Sequence, residues 1–126
     1  MSLRTPLGRV LGLGTAKDGT AHFMAQRISA LALAILGCWF LFALVSLDNL
    51  SYLEVIRFVA RPMNAVLLSL TCLTLSFHSH LGVQVVIEDY LHVPGGKLIA
   101  LIASRFAHVL VAVTALYAIL RIGITA

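Results

Sequence analysis

Residues 71–90 read TCLTLSFHSHLGVQVVIEDY. They close a run of 26 residues without a charge, between Arg61 and Glu88, that has His78 and His80 inside it. A helix crosses the hydrocarbon core of a bilayer, about 30 Å, with about 20 apolar residues at 1.5 Å rise each. The run is therefore long enough to span a membrane. Imidazole inside hydrocarbon is costly, so an intramembrane histidine is a functional candidate whose partner must be named. On a helix, His78, Gly82, Val85 and Asp89 share one stripe, because steps of four, seven and eleven residues return to nearly the same angle. Gly82 lies one turn from His78 and leaves flat room beside the ring.

Two further runs have the same character. Between Arg27 and Asp48 lie 20 residues without a charge, and from Leu98 onward only Arg105 and Arg121 are charged. Of the 126 residues, 60% are hydrophobic and 11% charged, and the mean hydropathy is +1.01. Soluble domains average about 25% charged residues, so water is not the solvent of most of this chain. The expected fold is all-α, an integral membrane protein with three transmembrane helices. Residues 1–24 form an N-terminal arm and residues 25–124 a membrane-anchor domain, with spans at about 25–47, 62–89 and 97–122. The segments between them are too short to fold as a soluble catalytic domain. Chemistry on soluble substrates therefore falls to another chain, and three helices with inward polar groups call for partner helices.

Six basic residues (Arg4, Arg9, Lys17, Arg27, Lys97, Arg105) flank one side and three (Arg57, Arg61, Arg121) the other. The positive-inside rule then puts the N-terminus and second loop on the cytoplasmic or matrix side. The net charge of +4 reflects this flanking and contact with anionic lipid; with no basic run and no interleaved aromatics, nucleic-acid binding is not expected. Cys38 and Cys72 lie in different spans without metal-ligand spacing and read as small buried thiols rather than a disulfide. The first hydrophobic run starts too late and is too long for a cleavable signal peptide.

Glycines 8, 12, 14 and 19 with Pro6 predict an irregular arm over residues 1–22. Ala30, Ala34 and Gly37 offer a small-residue face for close helix packing, and Trp39 is expected to pack within its span. A short interfacial helix is expected around Tyr52 to Phe58, and Pro62 suits the first turn of the second span. VPGG at 93–96 signals a tight turn joining the last two spans.

His78, about 15 Å of helix before Glu88, stands near the middle of the bilayer. One nitrogen of a neutral imidazole can ligate haem iron while the other donates a hydrogen bond. The alternative is an inward-facing histidine bonded to a carbonyl or hydroxyl on a neighbouring helix. His80 points to nearly the opposite face, as a hydrogen-bonding group or haem-edge contact. His108 offers a second axial ligand within the chain, a less favoured geometry than a ligand from a partner helix. Asp89 and Tyr90 bring an acid and a phenol to the membrane edge, although both residue types also occur at interfaces without a special role. Glu88 reads as a solvated acid. Arg27 and Arg105 either snorkel or pair with a haem propionate, for which a guanidinium fork is well shaped. His22 and His92 read as solvated.

The stretch HxxxGxxxxxxDY, here His78, Gly82, Asp89 and Tyr90, resembles the second helix of the small hydrophobic membrane-anchor subunits of succinate dehydrogenase, respiratory complex II. The stretch GLGTAKDGTAHFMAQRISALAL, from Gly12 to Leu33, resembles the segment before the first helix of those subunits, especially in the alphaproteobacterial and mitochondrial-like branch. The resemblance implies that His78 is an axial ligand of a haem b shared with a larger cytochrome b anchor subunit. It also implies that Arg27 lies near the haem propionates and that Tyr90 hydrogen-bonds ubiquinone with support from Asp89. The implied partners are that larger anchor subunit, an iron–sulfur subunit and a flavoprotein subunit. The implied location is the bacterial inner membrane, or the mitochondrial inner membrane in a eukaryote. Phe23 departs from the tryptophan common in relatives. Two other readings stay open, an anchor for fumarate reductase or another quinone-linked dehydrogenase, and a haem-free transporter or structural subunit.

Overall fold

A computed structural model describes residues 19–125. They form four helices and, among the described residues, no strand: α1 (Gly19–Val45), α2 (Tyr52–Ala60), α3 (Pro62–Tyr90) and α4 (Pro94–Thr125). Three of them, α1, α3 and α4, are long and apolar enough to cross a membrane. At 32 residues α4 is about 48 Å long, so its ends reach beyond a hydrocarbon core of about 30 Å unless it tilts.

Helix α3 is central. It packs against α1 on one side and α4 on the other, and α2 packs across α3 and α4. The result is a thin layer with little interior. Among the described residues Phe58, Leu81 and Ile119 are the buried apolar ones, and Ser29, 5% exposed, is the buried polar one. Phe42, Phe106, Tyr117 and many aliphatic side chains face outward. In water such a surface would aggregate; in a bilayer it suits contact with lipid tails.

Local chemistry sets the helix ends. Ser51 caps α2, its hydroxyl accepting from the Glu54 N–H at 3.4 Å, and Asn49 Oδ1 accepts from the Ser51 N–H at 3.0 Å. Ser51 and Glu54 have capping-box spacing. Glu54 also pairs with Arg57 at 2.8 Å on the exposed face. Arg61 is extended (φ −65°, ψ 125°), as a residue before proline prefers, so the chain breaks between α2 and α3. Asn64 donates to the Phe58 carbonyl across that break at 2.9 Å. At the other end of α3, Lys97 Nζ donates to the Glu88 carbonyl at 2.9 Å and His92 Nδ1 to the Tyr90 carbonyl at 3.1 Å. Both satisfy carbonyls that a helix C-terminus leaves open.

Several boundaries differ from the sequence reading. The predicted arm over residues 1–22 lies mainly outside the described residues, but α1 already begins at Gly19, so the helix that carries the first span starts before residue 25. The turn between the last spans is shorter than VPGG suggested. Pro94 is the first residue of α4, because proline at a first helical position forfeits no hydrogen bond. The short helix at Tyr52 extends to Ala60. The small-residue face finds no partner within the described residues: Ala30 and Ala34 are exposed and nothing lies within 4 Å of a Cβ built on Gly37.

Trp39 packs as expected. Its ring stacks on Phe58 with centroids 6.4 Å apart and planes 22° apart, which anchors α2 to α1. Phe58→Ala is expected to cost about 3 kcal/mol, the lower end for a buried aromatic. Unfolding in mixed micelles followed by Trp39 fluorescence measures it.

Candidate functional site at the α1–α3 interface

His22, Gln26 and Ser29 are spaced four and three residues apart, so they form one polar stripe on an otherwise apolar helix. That stripe meets His78. Ser29 Oγ lies 2.9 Å from His78 Nδ1 and 3.0 Å from the Gln26 carbonyl oxygen. The carbonyl only accepts, so the single hydroxyl proton of Ser29 is committed to it. Towards His78 the hydroxyl is therefore the acceptor, and His78 carries its proton on Nδ1. The lone pair is left on Nε2, where the side-chain amide of Gln26 approaches at 3.5 Å, the long limit of a hydrogen bond. The other half of that amide, Gln26 Oε1, is buried without a hydrogen-bond partner among the described residues.

The room beside Gly82 is shared with the same amide, since a Cβ built on Gly82 would stand 3.8 Å from Gln26 Nε2. The clearing inferred from the sequence is thus partly filled by a flexible side chain. Alongside runs an open groove of about 400 Å³ between α1 and α3, bounded by Ile28, Ser29, Ala32, Leu73 and Phe77. His22, expected to be solvated, lies instead within α1 with Nε2 buried and unpartnered among the described residues.

The opposite face of α3 carries a second polar group. The His80 and His108 rings are 5.5 Å apart and tilted by 57°. His108 lies 2.7 Å from the Ser104 carbonyl through Nδ1 and 3.1 Å from Ser79 Oγ through Nε2. The carbonyl contact takes the ring proton, so Ser79 is the donor to Nε2. Ser76 adds a bond from its hydroxyl to the His108 carbonyl at 2.7 Å. Both nitrogens of His108 are engaged, and on the side of α3 facing away from the His78 partners. The structure therefore does not bring His78 and His108 together as a ligand pair. Arg105 lines a groove with His80 and Gln84.

Asp89 and Tyr90 stand exposed at the end of α3, with Tyr90 76% accessible. Because α1 and α3 are antiparallel at Ser29 and His78, that end lies at the same membrane face as the start of α1. Glu88 is exposed and accepts from Gln84 Nε2 at 2.9 Å. The Arg27 guanidinium sits 5.1 Å over the Phe23 ring. Cys38 and Cys72 are free thiols, but Cys38 is exposed and Cys72 half-buried rather than buried as expected, because the thin bundle leaves the outer face of α1 uncovered. Among the described residues no three of His, Cys, Asp and Glu converge.

Sequence reasoning singled out His78, Gly82 and the acid–phenol pair but not Gln26 and Ser29, which the structure brings against His78. The available signal was the i, i+4, i+7 spacing of His22, Gln26 and Ser29 at the start of a span in which every other residue up to Val45 is apolar or small, Arg27 excepted.

Comparison with known proteins finds relatives along most of the chain. A hydrophobic membrane anchor subunit of succinate dehydrogenase from Rickettsia bellii is 30% identical over 120 residues, covering 95% of this chain and 96% of that protein. The subunit of the same name from Paracoccus denitrificans is 31% identical over 122 residues, covering 97% and 94%. That from Rickettsia conorii is 34% identical over 79 residues, covering 62% and 63%. No solved structure matches the chain. The profile of the succinate dehydrogenase/fumarate reductase transmembrane subunit family matches residues 1–119, and this multi-pass membrane protein belongs to that family.

Proposed function

We propose that this chain is the small membrane anchor of a succinate dehydrogenase, holding a haem b from one side through His78 and forming part of a ubiquinone site at Tyr90 and Asp89. The observation that carries the haem assignment is the 2.9 Å contact of Ser29 Oγ with His78 Nδ1, which favours the proton on Nδ1 and leaves the Nε2 lone pair facing only the Gln26 amide at 3.5 Å. Gly82 provides room on the same stripe, and the unpaired Oε1 of Gln26 marks an amide that leaves its position at little cost. These residues fit an iron porphyrin once that amide rotates. When bound, the haem supplies a one-electron store within the membrane. His78 would hold the iron from this chain, and the larger anchor subunit would complete its ligands. Arg27, released from Phe23, has the forked geometry for a propionate.

Tyr90 is placed for proton chemistry. Reducing a quinone takes two electrons and two protons, and a phenol at the aqueous edge donates a hydrogen bond to a quinone carbonyl and is reprotonated from solvent. Asp89, next in the chain and exposed, supports that exchange. Electrons reach this edge from an iron–sulfur subunit, itself supplied by a flavoprotein subunit. On this reading Tyr90 and the N-terminus face the cytoplasm, and the distribution of basic flanks supports that orientation. The family sets aside the reading of a small transporter. Fumarate reductase remains the second reading, since the family covers both, but each relative above is named for succinate dehydrogenase.

Purification in mild detergent, identification of the subunits and a reduced-minus-oxidised spectrum test the proposal. Copurifying flavoprotein and iron–sulfur chains with a b-type spectrum are the expected result; absence of both subunits and pigment refutes it. Gly82→Ala adds a separate check. The added methyl meets only an ordinary contact at 3.8 Å, and alanine gains about 1 kcal/mol of helix propensity. Thermal stability is therefore expected to hold or rise while the haem spectrum shifts, as read by melting and absorbance of the same sample.

A further inference from the structure

We propose that Ser29 is the positioning residue of His78: its hydroxyl fixes the imidazole in the Nδ1–H tautomer, and so presents Nε2 to the haem iron and sets how electron-rich that nitrogen is. The inference rests on the haem assignment above but adds to it a residue on a different helix. Ser29 is 5% exposed, the most deeply buried polar residue described, and its two bonds run in a fixed direction. The Nδ1–H of His78 donates to Ser29 Oγ at 2.9 Å, and Ser29 donates onward to the Gln26 carbonyl at 3.0 Å. A hydroxyl that is itself donating becomes a better acceptor, so the chain of bonds draws the Nδ1 proton outward and enriches the ring. Outer hydrogen bonds of this kind fix tautomer and orientation and raise ligand basicity. A more basic axial nitrogen favours ferric over ferrous iron, so Ser29 lowers the haem potential. The same geometry gives Gln26 two roles. Its backbone carbonyl anchors Ser29, while its side-chain amide, 3.5 Å from Nε2, covers the ligating lone pair when the iron is absent.

The test combines two readouts. In the purified complex, Ser29→Ala is expected to keep haem and raise its midpoint potential, so that the ferrous-to-ferric ratio at a fixed ambient potential rises roughly tenfold, which is about 59 mV for one electron. The low-spin g-values are expected to shift with it. Ser29→Thr, which keeps the hydroxyl, restores both. Ser69→Ala removes a span hydroxyl that bonds only the Ala65 carbonyl of its own helix at 2.7 Å, and is expected to change neither. Unaltered potential and g-values in Ser29→Ala overturn the proposal, as do equal shifts in the alanine and threonine variants. The second readout needs no haem. Nitrogen-15 spectra of the histidine-labelled full chain in bilayers are expected to show His78 protonated on Nδ1, with that tautomer lost in Ser29→Ala. A tautomer indifferent to Ser29 overturns the proposal even if haem is bound. A Ser29-dependent tautomer in a complex without haem leaves the hydroxyl's hold on His78 standing and refutes the haem assignment instead.

Discussion

Substituting alanine for His78 is expected to remove the low-spin haem signal from the purified complex, lowering haem per complex by more than about a hundredfold. Loss of an outer hydrogen-bonding partner alone weakens metal binding about 10–100-fold, and His78 is the proposed ligand itself. The substitution also has a structural cost. It leaves the Ser29 hydroxyl without its donor and the Gln26 amide without a neighbour, a loss of about 1–3 kcal/mol. Subunit stoichiometry must therefore be measured beside the spectrum, and His78→Leu, which fills the space, separates a missing ligand from a cavity. Intact subunits with no haem band are the expected outcome in both variants. A persisting wild-type spectrum would transfer ligation elsewhere. His80 would then be the residue to examine, because both nitrogens of His108 are already bonded.

The second large effect belongs to Tyr90. Tyr90→Phe removes one hydroxyl and little else, since the side chain is 76% exposed and supports no packing. Positioned proton donors contribute about 10²–10⁴-fold to rate, so succinate-dependent quinone reduction is expected to fall roughly a hundredfold. Succinate oxidation by an artificial acceptor, which takes electrons upstream of the membrane, is expected to stay at the wild-type rate. The comparison of the two assays is decisive: equal losses would take Tyr90 out of the quinone site, and no loss in either would make it an interfacial anchor. Asp89→Asn is expected to follow the same pattern with a smaller drop, as suits a residue acting through its neighbour.

Legibility differed between the parts of this chain. The three spans could be read because each is an uninterrupted run of apolar residues, and the bilayer requires every backbone polar group inside it to be bonded within its own helix. Pro62 could be read as a helix start for an equally local reason. The extent of α4 could not: proline and glycine at 94–96 favour turns and first helical positions alike, and only the backbone bond from the Lys97 N–H to the Val93 carbonyl at 2.9 Å shows which was chosen. His22 was misread for a related reason. A histidine near a glycine-rich arm reads as solvated until α1 is seen to start at Gly19 and carry it against the bundle.

Composition and spacing alone determined that the chain lives in lipid, crosses it three times, and carries one histidine on the same stripe as an acid at the membrane edge. These are properties of single helices, set by hydropathy and by the 3.6-residue turn. Which face of α3 meets which neighbour was decided by tertiary structure. His78 turns to Ser29 and Gln26 while His80 turns to the His108 ring, because α3 is packed on both sides and side chains two residues apart on a helix point to opposite neighbours. A proton's place on one ring nitrogen depends on a hydroxyl 49 residues away in sequence, and no local pattern encodes such a distance.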